Sequence, residues 1–162
     1  MRGKKKKMSI QILSTPSGNL ATAMRGVWWL LSREDWTKDG QQRIDPTLGA
    51  DPIGILSYAG THFAAQFMKR NRSDNPANQI FYSGQNNTSA VGGYDAYFGT
   101  YEVNEQTGKV AHTLIGSLTP SNIGITVLRD LRVNDDNLMI QLETTTPDGE
   151  PITRTLVWKR IN

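Results

Sequence analysis

Gly26-Val27-Trp28-Trp29-Leu30-Leu31-Ser32-Arg33-Glu34-Asp35-Trp36 is the stretch whose reading decides the fold. Trp28, Leu30, Ser32, Glu34 and Trp36 alternate with Trp29, Leu31, Arg33 and Asp35. A period of two is that of an extended strand, whose successive side chains point to opposite sheet faces. Lys38-Asp39-Gly40 supplies the turn that ends it. Working outward, seven further β-rich runs lie at 53–58, 62–69, 94–103, 109–118, 123–133, 138–145 and 152–160.

Between these runs sit Ala59-Gly60-Thr61, Asn104-Glu105-Gln106-Thr107-Gly108, Asn134-Asp135-Asp136-Asn137 and Pro147-Asp148-Gly149-Glu150. Such short Gly- and Asx-rich separators join antiparallel neighbours. Eight strands in one meander would leave two long exposed edges unless the sheet closes on itself. The expectation is therefore an all-β fold, an eight-stranded antiparallel up-and-down β-barrel, over residues 25–162.

Residues 1–24 read differently. Lys4, Lys5, Lys6 and Lys7 are followed by a segment with Ser9, Gln11, Ser14, Thr15, Ser17, Gly18 and Asn19, too polar for the apolar core of a signal peptide. The segment is expected to be a flexible basic leader, which places the protein in the cytoplasm, with export by an atypical N-terminal signal as the alternative. The longest uninterrupted apolar stretch, 27–31, is far short of a membrane-spanning helix.

The net charge of +3 is misleading, because Arg2 and Lys4 to Lys7 supply five of the 18 basic residues. Against 15 acidic residues the remaining body is slightly acidic, which argues against a nucleic-acid partner. The absence of cysteine excludes disulfides and thiolate chemistry. With two histidines besides, no familiar metal set is expected, and no Gly-rich phosphate loop offers a seat for a nucleotide cofactor.

Gly26-Val27-Trp28 matches the Gly-x-Trp that opens lipocalin barrels. Leu48-Gly49-Ala50-Asp51-Pro52-Ile53-Gly54, Ala65-Gln66-Phe67-Met68, Tyr97-Phe98-Gly99-Thr100-Tyr101-Glu102-Val103 and Leu156-Val157-Trp158-Lys159-Arg160 follow in order. Together they resemble the bacterial and fungal lipocalin-like domain family, a calycin-type barrel. The resemblance implies that Trp28 plugs the barrel floor and that Arg160 stacks on it. It implies no chemistry, because the fold hosts carriers and enzymes alike.

An eight-stranded barrel has room for one small ligand, so inward residues are the candidates. Strict alternation from Trp28 puts Glu34 and Trp36 inside. A carboxylate there is either a tuned acid or base, or one partner of an ion pair with Arg129 or Arg154, or a solvated rim group. His112 shares a face with Val110 and Leu114 and reads as a proton shuttle or a satisfied core histidine. Tyr97 and Tyr101 flank Gly99 on one face and can pack a flat ring, or simply fill the core. Arg129 and Arg154, if inward, require an anion.

Two functions follow. The first is a cofactor-independent cyclase or isomerase of a natural-product pathway, with ring closure of the type found in scytonemin biosynthesis as a comparison. Its aromatic, carboxylate-bearing substrate would be packed by Trp36, Tyr97 and Tyr101, anchored by Arg129 or Arg154, and served by Glu34 or His112. The second is a non-catalytic carrier or sensor of a small hydrophobic ligand. Neither nucleic acid nor membrane is an expected partner; a homo-oligomer is compatible with both readings.

Overall fold

The computed structural model describes residues 19–72 and 90–161. Its elements are α1 (Leu20–Ala23), β1 (Gly26–Trp36), β2 (Gln42–Arg43), β3 (Ile53–Ala59), β4 (His62–Met68), β5 (Tyr94–Asn104), β6 (Lys109–Ser117), β7 (Thr126–Asn134), β8 (Asn137–Thr145) and β9 (Pro151–Ile161). A 3₁₀ turn at Pro120–Asn122 lies between β6 and β7. β1 and β3 to β9 each pair antiparallel with the next, and β9 returns to β1. The result is the closed eight-stranded barrel, with no free edge around the ring. The two-residue β2 lies outside the ring and folds back on Asp35 and Trp36 of β1.

Closure rests on the β1–β9 ladder, which runs from Val27↔Ile161 to Trp36↔Thr153. The turns are local solutions. Gly60, at φ 59°, occupies the tight connection between Ala59 and His62 in a left-handed conformation that costs glycine nothing. Asp135, at φ 50°, does the same between Asn134 and Asn137, and aspartate is among the few side chains that tolerate it. No helix among the described residues is long and apolar enough to cross a membrane.

Two breaks in register matter for the site. Between Leu30 and Ser32, β1 carries one extra residue relative to β9, since Leu30 faces Trp158 and Ser32 faces Val157. A second irregularity lies at Phe98/Gly99 against β6. A bulge shifts the side-chain parity of everything beyond it by one residue. On β1 the buried set is therefore Trp28 and Leu30, then Arg33 and Asp35.

One barrel end is sealed by residues expected to belong to the leader. Leu20 and Met24 are core residues, and the Trp28 indole donates to the Met24 carbonyl at 2.8 Å. Glu105 on the β5–β6 turn accepts from the amides of Leu20 (2.8 Å) and Ala21 (2.9 Å), satisfying orphan donors at the start of α1. Arg160 lies 4.2 Å from the Trp28 ring and donates to the carbonyls of Ala23 and Arg25. Gly26, at φ 122°, admits this guanidinium, because a Cβ there would sit 2.8 Å from its Nη1.

The boundary drawn after residue 24 thus cuts through a packed element. The basic run at Arg2 to Lys7 lies outside the described residues. A truncation of residues 1–18, which keeps α1, provides the reference urea midpoint. Deleting 1–24 removes two buried apolar side chains and should cost roughly 3–6 kcal/mol. Equal midpoints for the two truncations would show that the plug contributes nothing.

Candidate functional site: an aromatic cavity with an arginine-rich wall

Antiparallel order puts the tight β3–β4, β5–β6 and β7–β8 turns at the plugged end, and the connections 37–52, 118–125 and 146–150 at the other. A cavity of about 400 Å³ lies inside, and Leu48, Asn122 and Ile125 from those far connections contribute to its lining. Its wall is mostly apolar, and Tyr58, Phe63, Phe67, Tyr97 and Trp158 form its aromatic part. They pack as a continuous row. Phe67 sits edge-on to Trp158 (5.6 Å between centroids) and stacks with Tyr97 (6.4 Å), while Phe63 meets both Tyr97 (6.0 Å) and the His112 ring (4.5 Å). Ring pairs at these separations are favourable beyond their burial and hold the wall rigid.

Charged side chains complete the lining: Arg33, Arg129, Arg154 and one carboxylate, Asp95. Arg154 is gripped bidentately by Asp35, with Nε–Oδ1 at 2.7 Å and Nη2–Oδ2 at 2.8 Å. Arg33 Nη2 lies 2.9 Å from Asp45 Oδ2, and Arg154 Nη2 lies 3.7 Å from the same oxygen. Burial pushes the Asp45 carboxyl up, but Arg33, the Thr47 hydrogen bonds and Arg154 outweigh it and hold the group below the usual carboxylate range. Burial lowers the Arg129 guanidinium, with Arg154 adding repulsion and Tyr97 and Tyr58 opposing.

His112 is fully enclosed, with Nε2 2.8 Å from the Tyr58 hydroxyl and Nδ1 without a hydrogen-bond partner among the described residues. Burial, helped by Arg129, depresses its pKa to about 3, so the imidazole is neutral at physiological pH. Tyr97 is pushed up to about 12, chiefly by burial and then by the Asp95 carboxylate. Its hydroxyl therefore stays a neutral phenol at physiological pH.

Four of the residues singled out from sequence come together on this cavity: His112, Tyr97, Arg129 and Arg154. Three do not. Glu34 is exposed and accepts from the Trp36 indole at 2.9 Å on the outside of the barrel. Trp36 is half-buried against that outer surface. Both were placed inside by strict alternation, and the bulge at Leu31 turns them out. Glu34 is consequently no partner for Arg129 or Arg154 within the barrel. Tyr101 points inward but does not line the cavity. Its hydroxyl donates to the Gly60 carbonyl at 2.8 Å and its ring packs edge-on to Tyr58.

The same bulge brings in Arg33 and Asp35, which parity had assigned to solvent. Asp45 and Asp95 carry no motif, and Tyr58 and Trp158 look like ordinary strand aromatics. No local signal marks the bulge, because residues 27–31 are all apolar and Leu30-Leu31 reads no differently from Trp28-Trp29. Among the described residues no three His, Cys, Asp or Glu side chains gather into a set able to hold a metal ion.

No curated protein matches this sequence. A family model described as a lipocalin-like domain matches residues 25–161, the whole of the barrel, and the chain belongs to that family.

Proposed function

We propose that the barrel binds a small aromatic anion, with the rings of Phe63, Phe67, Tyr97 and Trp158 enclosing its flat part and the arginines holding its carboxylate. The observation that carries this reading is the lining itself: among the described residues, three guanidiniums and one carboxylate around a cavity that is otherwise mostly aliphatic or aromatic. Such a wall favours a flat ligand bearing negative charge. Asp35 and Asp45 contact Arg154 and Arg33 without lining the cavity themselves.

The test uses a matched pair of probes, 2-naphthoate and the uncharged 2-naphthamide, titrated by calorimetry. The wild-type protein is expected to prefer the anion. Arg129→Met keeps approximate volume but removes one of the positive charges of the wall, and should weaken 2-naphthoate binding about tenfold, while 2-naphthamide binding moves by less than about threefold. Equal wild-type affinity for the two probes would overturn the reading.

Transformation of the ligand, as a cofactor-independent cyclisation or isomerisation, is a second reading favoured by the Tyr58–His112 hydrogen bond beside the cavity. An imidazole with a pKa of about 3 is too weak a base to strip a carbon acid, so the catalysis it supports is restraint of the ligand in a reactive shape with water excluded. Recovery of a bound native molecule and its comparison with the molecule offered separates the two: an isomer means turnover, the same compound means carriage.

A further inference from the structure

We propose that the Asp45 carboxylate is a built-in counter-ion occupying an anion subsite between Arg33 and Arg154, and that a ligand carboxylate displaces it. The proposal rests on the reading that the barrel takes aromatic anions, and it assigns that anion's position. Arg33 and Arg154 both line the cavity, and both are more than nine-tenths buried. Asp45 Oδ2 bridges them at 2.9 and 3.7 Å.

The two aspartates of this cluster are held differently. Asp35 lies on β1, directly across the ladder from Arg154, and cannot leave without breaking the strand pair that closes the barrel. Asp45 lies on the connection between β2 and β3. There its other oxygen, Oδ1, accepts from the Thr47 amide (2.8 Å) and hydroxyl (2.6 Å), while its backbone carbonyl accepts from the Gly49 amide (2.8 Å). A loop can swing where a strand cannot.

Charge makes the exchange obligatory. Arg33, Arg154, Asp35 and Asp45 together are neutral, and Arg129 and Asp95, the other ionic groups of the wall among the described residues, also sum to zero, so a further carboxylate placed on the two guanidiniums would leave a buried negative excess, which the low-dielectric interior opposes. The ligand anion and the Asp45 carboxylate therefore exclude each other. Leu48, three residues beyond Asp45, is itself part of the cavity lining and almost fully buried. Release of Asp45 thus moves a piece of the wall, and occupancy of the subsite is coupled to the conformation of residues 44–52.

Asp45→Asn preserves shape and an acceptor for Thr47 while removing the charge. It should bind 2-naphthoate at least tenfold more tightly than wild type and leave 2-naphthamide within about threefold. An unchanged or weakened 2-naphthoate affinity in folded Asp45→Asn would show that Asp45 is a permanent structural ion and overturn the proposal.

Hydrogen exchange on the wild-type protein provides a second measurement that needs no variant to fold. Saturating 2-naphthoate, but not 2-naphthamide, should speed exchange at the Thr47 and Gly49 amides at least fivefold. Slower or unchanged exchange there counts against displacement. A wild-type protein that does not distinguish the two probes fails the binding reading itself, whereas a preference for the anion without these Asp45 effects fails only the displacement.

Discussion

Asp35→Ala is expected to destabilise the protein by about 3–5 kcal/mol, the cost of leaving a buried ion without its partner, whereas Glu34→Ala, one residue away, should stay within about 0.5 kcal/mol. Asp35 is almost fully buried and provides both of its oxygens to Arg154. Without it, the Arg154 guanidinium keeps Asp45 at 3.7 Å, and its repulsion of Arg33 is less well offset. Glu34 is exposed, and its bond to the Trp36 indole lies at the surface. Guanidinium chloride midpoints of the two variants decide the matter. The opposite ranking, with Glu34 costly and Asp35 silent, would restore strict alternation along β1 and remove the bulge at Leu31 as the feature that sets the polar end of the cavity.

Acidification provides the second large effect. His112 has a folded pKa of about 3 against an ordinary value of 6.5, so between those limits the unfolded chain binds a proton that the folded chain refuses. Stability is then fully present above about pH 6.5 and falls as pH falls toward the folded value. The loss is about 2 kcal/mol between pH 6.5 and about 5, and up to about 5 kcal/mol over the whole window. His112→Gln retains a side chain able to hydrogen-bond Tyr58 but does not titrate. Urea midpoints measured at intervals across this range should slope for the wild type and run nearly flat for the variant down to about pH 5, before carboxylate protonation enters. Parallel slopes would mean that the imidazole is protonated in the folded protein, and with it that the cavity admits water to His112.

The pH window and the silent Glu34 bear on function as well as stability. His112 is neutral and enclosed and Glu34 points outward, and the ionic groups of the lining among the described residues are Arg33, Arg129, Arg154 and Asp95. An interior of that kind is better suited to holding an anion than to moving protons.

The class of fold, the eight strands of the ring and their order around it were legible in the chain because their causes are local. Alternation in Gly26–Trp36 and in the runs after it reflects the strand pleat, and the Gly- and Asx-rich separators are too short to do anything but join neighbours. His112, Tyr97, Arg129 and Arg154 were found by the same parity on strands or strand halves where alternation is unbroken. What only the tertiary structure decided is everything that depends on register or on contacts between distant parts of the chain. The extra residue at Leu31 is visible only against β9, and it exchanges Glu34 and Trp36 for Arg33 and Asp35. Asp35 and Arg154 meet across 119 positions, and Asp45 reaches Arg33 and Arg154 from a loop with no motif. Leu20 and Met24 look like the end of a polar leader until Glu105 and Arg160 pin them beneath Trp28. Period and turn chemistry are properties of neighbouring residues, whereas a bulge, a buried ion pair and a plug are stabilised by partners that the fold alone brings within reach.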